Sequence, residues 1–271
     1  MNKLLIIDPQ NDFCDVPGAA LPVPGATADL LRLADFIPRI EHILDSITIT
    51  LDTHPTVAIE RPGFWQTDTG AQVPAFTQIR AADVQEGRFV PRTATLTPQV
   101  LAYLNALEQG GKYTLMVWPP HCVLGTWGHA MPEELARSVA RWEVRTQTAA
   151  NKVLKGLNPM TEQYSAVRAE VPVPDDARTG WNADLVKSVS PGSYGFLLIA
   201  GEALSHCVRA TVLDLLSVFT VEQSVRTVLL HDCMSSVPGF EEQAQAFLQD
   251  ARNLGVKTLT TTQAASVLTG N

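Results

Sequence analysis

A chain of 271 residues is long enough for one large α/β domain or two small ones. Hydrophobic residues at 45% and charged residues at 18% give the composition of a packed, water-soluble fold, which excludes disordered and fibrous classes. The formal net charge of −8, with no Lys/Arg run, excludes a nucleic-acid partner, since such binders need basic patches to displace counterions.

The first residues, Met1 to Ile7, are apolar but too few for a signal-peptide core, and Asp8 interrupts them. No later segment reaches the unbroken apolar length of a membrane span, so the chain reads as cytoplasmic and without a membrane partner. Residues 3–8 form a short apolar run ending in an acid and a proline, the pattern of a buried parallel strand with Asp8 at its carboxyl end. Residues 47–52 repeat that design and end on Asp52. Between them, residues 28–46 place Leu30, Leu33, Ile37, Ile40 and Leu44 at helical spacing, with Pro38 as a kink or break.

The stretch 55–94 departs from this rhythm. It is rich in Pro, Gly, Thr and Gln, carries Phe64, Trp65, Phe76 and Phe89, and is expected to be an ordered excursion over one rim. Further strands are expected at 113–117, 151–154, 196–200, 227–231 and 256–260, and helices at 98–108, 132–142, 205–218 and 240–254. Strands alternating with amphipathic helices predict an α/β fold, a mostly parallel, doubly wound sheet with helices on both faces. No repeat or clear linker divides the chain, so a single domain over 1–271 is expected, with an insertion at about 55–94. In such sheets the ligand site lies beyond the carboxyl ends of the strands.

Three ionisable residues fall at those ends: Asp8, Lys155 and Cys207. Four cysteines, Cys14, Cys122, Cys207 and Cys233, stand without CxxC spacing, which gives neither a zinc finger nor a disulfide framework. Cys207 is expected in the first turn of a helix after a buried strand, where free amides and the helix dipole favour a thiolate. Taken singly these signals have plainer readings: a packed thiol, an acid capping a turn, a solvated lysine.

Together they resemble a family. Asp8-Pro9-Gln10-Asn11-Asp12-Phe13 resembles the D-x-Q-N-D-F opening of nicotinamidases, and Leu51-Asp52-Thr53-His54-Pro55 resembles their D-x-H-P segment. Trp118 to Thr126 resembles W-P-x-H-C-V-x-G-T, Lys155-Gly156 the catalytic lysine segment, and Gly201 to Val208 the nucleophile segment ending in H-C-V. The resemblance to the nicotinamidase/isochorismatase-like hydrolases implies a six-stranded sheet and a catalytic triad of Cys207, Asp8 and Lys155. It also implies an oxyanion hole from the amides of Ala203 and Cys207, with a cis peptide at Glu202-Ala203. Phe13, Trp118 and Tyr164 match or lie near substrate-pocket positions, while core packing is the other reading of Trp118. His206 reads as orienting backbone.

Asp52, His54 and His121 match positions that bind a divalent metal in nicotinamidases, where the metal holds the pyridine nitrogen or a water beside it. The chain departs from that pattern: no further histidine follows His54 closely, and Glu60 offers an oxygen ligand instead. Zinc, manganese or iron would suit such a set, a vestigial site is the alternative, and no organic cofactor is implied. The expected activity is hydrolysis of a small carboxamide, specifically nicotinamide to nicotinate and ammonia. The alternatives are isochorismate, an N-carbamoyl compound, or an inactive relative that serves as a binding protein. A small amide is the expected partner, and a homo-oligomer is left open.

Overall fold

The computed structural model describes residues 1–269. In chain order the first elements are strand β1 (Asn2–Ile7), helix α1 (Ala26–Ile40) and strand β2 (Leu44–Asp52). The rim region follows with β3 (Trp65–Thr67), β4 (Gln78–Ile79), α2 (Ala81–Gln85), β5 (Phe89–Pro91), α3 (Thr97–Gly110) and β6 (Leu115–Met116). The remainder comprises α4 (Glu133–Thr146), β7 (Asn151–Lys155), α5 (Ala183–Val189), β8 (Leu197–Gly201), α6 (Arg209–Leu216), α7 (Val221–Val225), β9 (Thr227–Leu230), α8 (Glu241–Asn253), β10 (Lys257–Leu259) and α9 (Thr261–Thr269).

Six strands form one parallel sheet in the order β10-β9-β8-β1-β2-β7. Successive residues of a strand face opposite ways, and both faces are covered. Leu5, Ile7, Leu197, Ile199 and Leu229 pack with residues of α5, α6 and α8, whereas Leu4, Ile6, Ile49, Leu198 and Val228 pack with residues of α1, α4 and α9. Burial on both faces explains why the strands read as continuous apolar runs rather than alternating ones. Each fully buried Leu or Ile contributes about 1.5–3 kcal/mol relative to exposure. Among the described residues no helix is long and apolar enough to cross a membrane.

Three expectations are corrected. Helix α1 accommodates Pro38 inside its last turn and stops at Ile40, and Leu44 begins β2 beside Asn2 instead of continuing the helix. Of residues 113–117, only Leu115–Met116 is strand, and it pairs antiparallel with β4 outside the main sheet, because β7 already occupies the edge beside β2. The expected helix at 205–218 opens with a wide π-type turn, Leu204–Val208, before α6.

The excursion is ordered. Ile59, Trp65, Val73, Ile79 and Val84 form a third apolar cluster with Val100, Tyr103, Leu104 and Leu107 of α3. Its first segment is tied back to the main body: Ile59 N donates to Pro159 O at 2.8 Å, and Trp118 N donates to Glu60 O at 2.8 Å. That tether brings Glu60 and Arg61 to the sheet's carboxyl edge.

Candidate active site

Four adjacent strands, β7, β2, β1 and β8, end at one crevice and deliver Lys155, Asp52, Asp8 and the Gly201–Ala203 turn. Asp8 has φ +44°, the left-handed region, which costs a non-glycine residue on the order of 1 kcal/mol or more. Its amide donates to Thr50 O and Thr50 Oγ1, both at 3.1 Å, and Thr50 Oγ1 donates to Asp8 Oδ1 at 2.6 Å. Gly201 has φ +121°, and a Cβ there would run into the backbone of Ile7, so only glycine lets β8 approach β1 at this end.

The motif residues around Asp8 have mechanical tasks. The Gln10 side chain clasps the Asp52 backbone, accepting from its N–H and donating to its carbonyl, each at 2.7 Å. Asp12 Oδ2 accepts from Cys122 N at 2.7 Å, which fixes the His121–Cys122 segment against the crevice.

Lys155 is the hub. Its Nζ lies 3.0 Å from Asp8 Oδ2, 2.8 Å from Asp52 Oδ1, 3.0 Å from Gln163 O and 3.5 Å from Cys207 Sγ. Burial works against its charge, but Asp52 and Asp8 hold it well above the usual lysine range. Burial raises Asp8 above an ordinary aspartate even with Lys155 beside it. Asp52 moves the other way, because His54 and Lys155 outweigh burial and keep it well below the usual range.

Cys207 departs from the thiolate expected of it. Burial pushes its thiol well above the ordinary value; Lys155 offsets part of this, while Asp8 and Asp52 add to the rise. The lysine's charge is already matched by two carboxylates, so the resting group is a thiol with Asp8 as its hydrogen-bond partner. Ala203 and Cys207 both line the crevice, and the Glu202–Ala203 peptide is cis.

Asp52, His54 and His121 present ligand atoms that all lie within 4.8 Å of one another. His54 Nε2 and His121 Nε2 both point at Asp52 Oδ2, at 2.8 and 3.3 Å. Two imidazole nitrogens converging on one carboxylate oxygen form a donor set that fits a divalent cation. Glu60 is not part of it. Its Oε1 lies 3.1 Å from His54 Nδ1, on the far side of the ring, where it orients the imidazole instead of ligating an ion. Without an ion, burial disfavours a charged His54 but Asp52 raises it to about 9, whereas burial and Arg61 lower His121 to about 4. Gly156 closes this corner: with φ +78°, an added Cβ would sit 2.8 Å from His54 Cε1.

Phe13, Trp118 and Tyr164 are buried and line the same small cavity as Cys207. Trp118 Nε1 donates to Tyr164 Oη at 3.0 Å. His206 is a wall of this cavity and not a backbone clamp; its Nδ1 pairs with Ser205 Oγ at 2.9 Å, and burial lowers it to about 4.

Sequence reasoning missed several residues. Thr50 was visible as a polar residue two positions before Asp52 in an apolar strand. Glu162 lies in the polar 161–170 stretch, lines the cavity, and is raised to about 7 by burial and by Glu60. Arg61 gave no signal, yet it is fully buried with Nη1 2.9 Å from His121 Nδ1 and 3.0 Å from Pro119 O.

No family model matches the chain. A nicotinamidase of Saccharomyces cerevisiae is 24% identical over 232 residues, which are 86% of this chain and 87% of that protein. A solved nicotinamidase/pyrazinamidase of Acinetobacter baumanii superposes with a TM-score of 0.62 at 20% identity, covering 97% of each chain. A pyrazinamidase of Pyrococcus horikoshii, solved in complex with zinc, gives a TM-score of 0.52 at 22% identity over 96% of this chain and 98% of that one. These likenesses show that the chain has the fold of the nicotinamidase/isochorismatase-like hydrolases.

Proposed function

We propose that this chain, built on the nicotinamidase/isochorismatase-like fold, is a cysteine-dependent amidohydrolase that cleaves a small carboxamide through a thioester, with nicotinamide as the specific substrate. One observation carries the reading: a single buried ammonium, Lys155 Nζ, lies 3.0 Å from the Asp8 carboxylate and 3.5 Å from the Cys207 sulfur. Relatives named nicotinamidase or pyrazinamidase over most of their length support it.

Asp8 takes the thiol proton as Cys207 Sγ attacks the carbonyl carbon. Proton transfer between two groups that burial has already raised is easier than ionising a thiol in bulk water, and Lys155 stabilises whichever partner carries the negative charge. The tetrahedral oxyanion is met by the amides of Ala203 and Cys207. Collapse expels ammonia, which carries the proton from Asp8, and leaves the acyl group on sulfur. Water then attacks the thioester, Asp8 accepts its proton, and collapse releases the carboxylic acid and the thiolate, which is reprotonated from Asp8. Phe13, Trp118 and Tyr164 supply aromatic walls for a flat ring.

Asp52, His54 and His121 are the residues that would hold a divalent ion. When bound, the ion supplies a Lewis-acid contact for a ring nitrogen or another lone pair of the substrate. Ammonia release from nicotinamide, with Cys207→Ala as control and mass spectrometry of rapidly quenched enzyme for an acyl adduct, tests the reading. Wild-type turnover with an adduct on Cys207 supports it, and full activity in Cys207→Ala overturns it.

A further inference from the structure

The cavity at Cys207 encloses only about 30 Å³. That is room for about two waters, well short of the few hundred Å³ typical of sites that take organic ligands. Three of its walls, Trp118, Tyr164 and His206, are shared with a second chamber of about 170 Å³ on their other side. The partition is therefore three aromatic side chains in edge contact, with ring centroids 5.3 Å apart for Trp118–His206 and for Tyr164–His206. Joining the two chambers requires these rings to turn aside.

The outer chamber is chemically unlike its surroundings. In a chain of net charge −8 it is lined by two cations, Lys112 and Arg209, and by no carboxylate. Arg209 is half-buried, and its Nη1 donates to Tyr113 Oη at 3.0 Å while the guanidinium lies 5.7 Å from that ring's centroid. Among the described residues no carboxylate lies within ion-pair distance of it; the nearby Asp214 pairs with Arg168 at 3.1 Å and with Lys112 at 4.0 Å. Burial keeps the Tyr113 phenol protonated, so it cannot serve as counter-ion. Arg209 and Lys112 also border a neighbouring cavity that carries Glu170 and Asp214, but neither acid pairs with the guanidinium. A guanidinium held in place by a neutral phenol and left without a carboxylate partner is suited to receive one from a ligand.

We propose that the outer chamber is an anion-binding subsite of the catalytic crevice, with Arg209 as its specificity-determining residue, so that carboxamides bearing a carboxylate at the end remote from the reacting amide are bound in preference to neutral ones. The amide reaches Cys207, the body of the molecule crosses between Trp118, Tyr164 and His206, and the carboxylate meets Arg209, with Lys112 at the mouth. This rests on the amidase reading for its reaction and replaces neutral nicotinamide with an acidic carboxamide as the preferred substrate, but the subsite itself is measurable without turnover.

The test uses Cys207→Ala protein and calorimetric titration with matched pairs: 3-carbamoylbenzoate against benzamide, and adipate monoamide against hexanamide. At least one acidic member binds tenfold or more tightly than its neutral partner, the preference collapses to within threefold in Cys207→Ala/Arg209→Met, and part of it survives with Lys at 209. In enzyme with Cys207 intact, Arg209→Met lowers the ratio of kcat/KM for the acidic over the neutral amide by tenfold or more. No preference in either pair, or a preference unchanged by Arg209→Met, overturns the subsite. Acid-selective binding without hydrolysis of any amide would instead remove the amidase reading and leave the subsite standing.

Discussion

Replacing Lys155 by Met removes the one cation that Asp8, Asp52 and Cys207 share. The side chain is 2% exposed and its ammonium makes four contacts between 2.8 and 3.5 Å, so the variant buries two carboxylates with one partner fewer and leaves the Gln163 carbonyl without its donor. Deleting one member of a buried ion pair costs roughly 3–5 kcal/mol. With about 2.1 cal/mol/K of unfolding entropy per residue, 271 residues lose roughly 1.8 °C per kcal/mol, which predicts a fall in Tm of about 5–9 °C. From the sequence alone the effect is expected in chemistry far more than in folding; the depth of the ammonium adds the stability cost. Asp8→Asn in the same background removes one orphaned charge while keeping an acceptor for Thr50, so the double variant should recover 1 kcal/mol or more of that loss. Denaturant titration measures the stabilities, and ammonia release measures activity, which should fall at least a hundredfold in Lys155→Met. A cost under about 1 kcal/mol, or near-normal turnover, would refute the hub role of Lys155.

Cys207→Ala should abolish turnover, since no other group lining the crevice forms a thioester. Peptide mapping after iodoacetamide should find Cys207 modified before Cys14, Cys122 and Cys233, at a rate that climbs towards alkaline pH as its raised thiol ionises; first labelling elsewhere with activity intact rejects the nucleophile. His54→Ala should lose bound divalent metal altogether, whereas Glu60→Gln should weaken it by about 10–100-fold, as for an orienting partner; equal losses by metal analysis would make Glu60 a ligand after all. Glu202 is fully buried, with its carboxyl raised well above the usual range by burial and by Asp29. Its native form keeps a proton that the unfolded chain releases near pH 4.3, so wild-type stability falls as pH rises above that value. Glu202→Gln removes this term, and the variant should gain on wild type by about 1.4 kcal/mol per pH unit over the lower part of that window; parallel stability curves would show that Glu202 is ionised in the fold.

Strand ends were the most legible part of the sequence. Apolar runs closed by Asp8, Asp52 and Lys155 fix both the buried sheet and the edge at which those side chains emerge, because a parallel strand covered on both faces tolerates a charge only at its end. Local pattern could not tell the sheet strands from 113–117, whose apolar residues pack under the rim cluster instead. Nor could it place Glu60 behind His54, since that depends on the tether from Trp118 to Glu60 across the excursion. The resting state of Cys207 was misjudged for a related reason. Helix position and a nearby lysine are readable from order in the chain, but the two carboxylates already matched to that lysine are a matter of three-dimensional count. Arg61 and Glu162 escaped because a buried charge and a solvated one look alike in sequence.

That count bears on the metal. Asp8, Asp52, Glu60 and Glu162 are four buried carboxyls grouped around two buried permanent cations, Lys155 and Arg61. With the four carboxyls ionised and His54 deprotonated, as a ligand must be, the cluster is two negative charges in excess, and a divalent ion at Asp52, His54 and His121 restores neutrality at the point where two imidazoles converge. Uncompensated charge in a buried site is costly, so such an ion should stabilise the fold by more than its direct bonds to three side chains imply. At a hundredfold excess over Kd, binding to the native state alone is worth about 2.7 kcal/mol, or roughly 5 °C for a chain of 271 residues. Chelator-stripped protein should show this rise with at least one of zinc, manganese or iron. Glu162 is outside the set of converging donors, so Glu162→Gln tests the charge argument apart from ligation: it removes one of the two excess charges and should reduce the metal-induced rise while leaving the ion bound. If none of the three ions shifts Tm, the cluster is balanced by protons on its own side chains and the site is vestigial; if Glu162→Gln leaves the shift unchanged, coordination alone holds the ion.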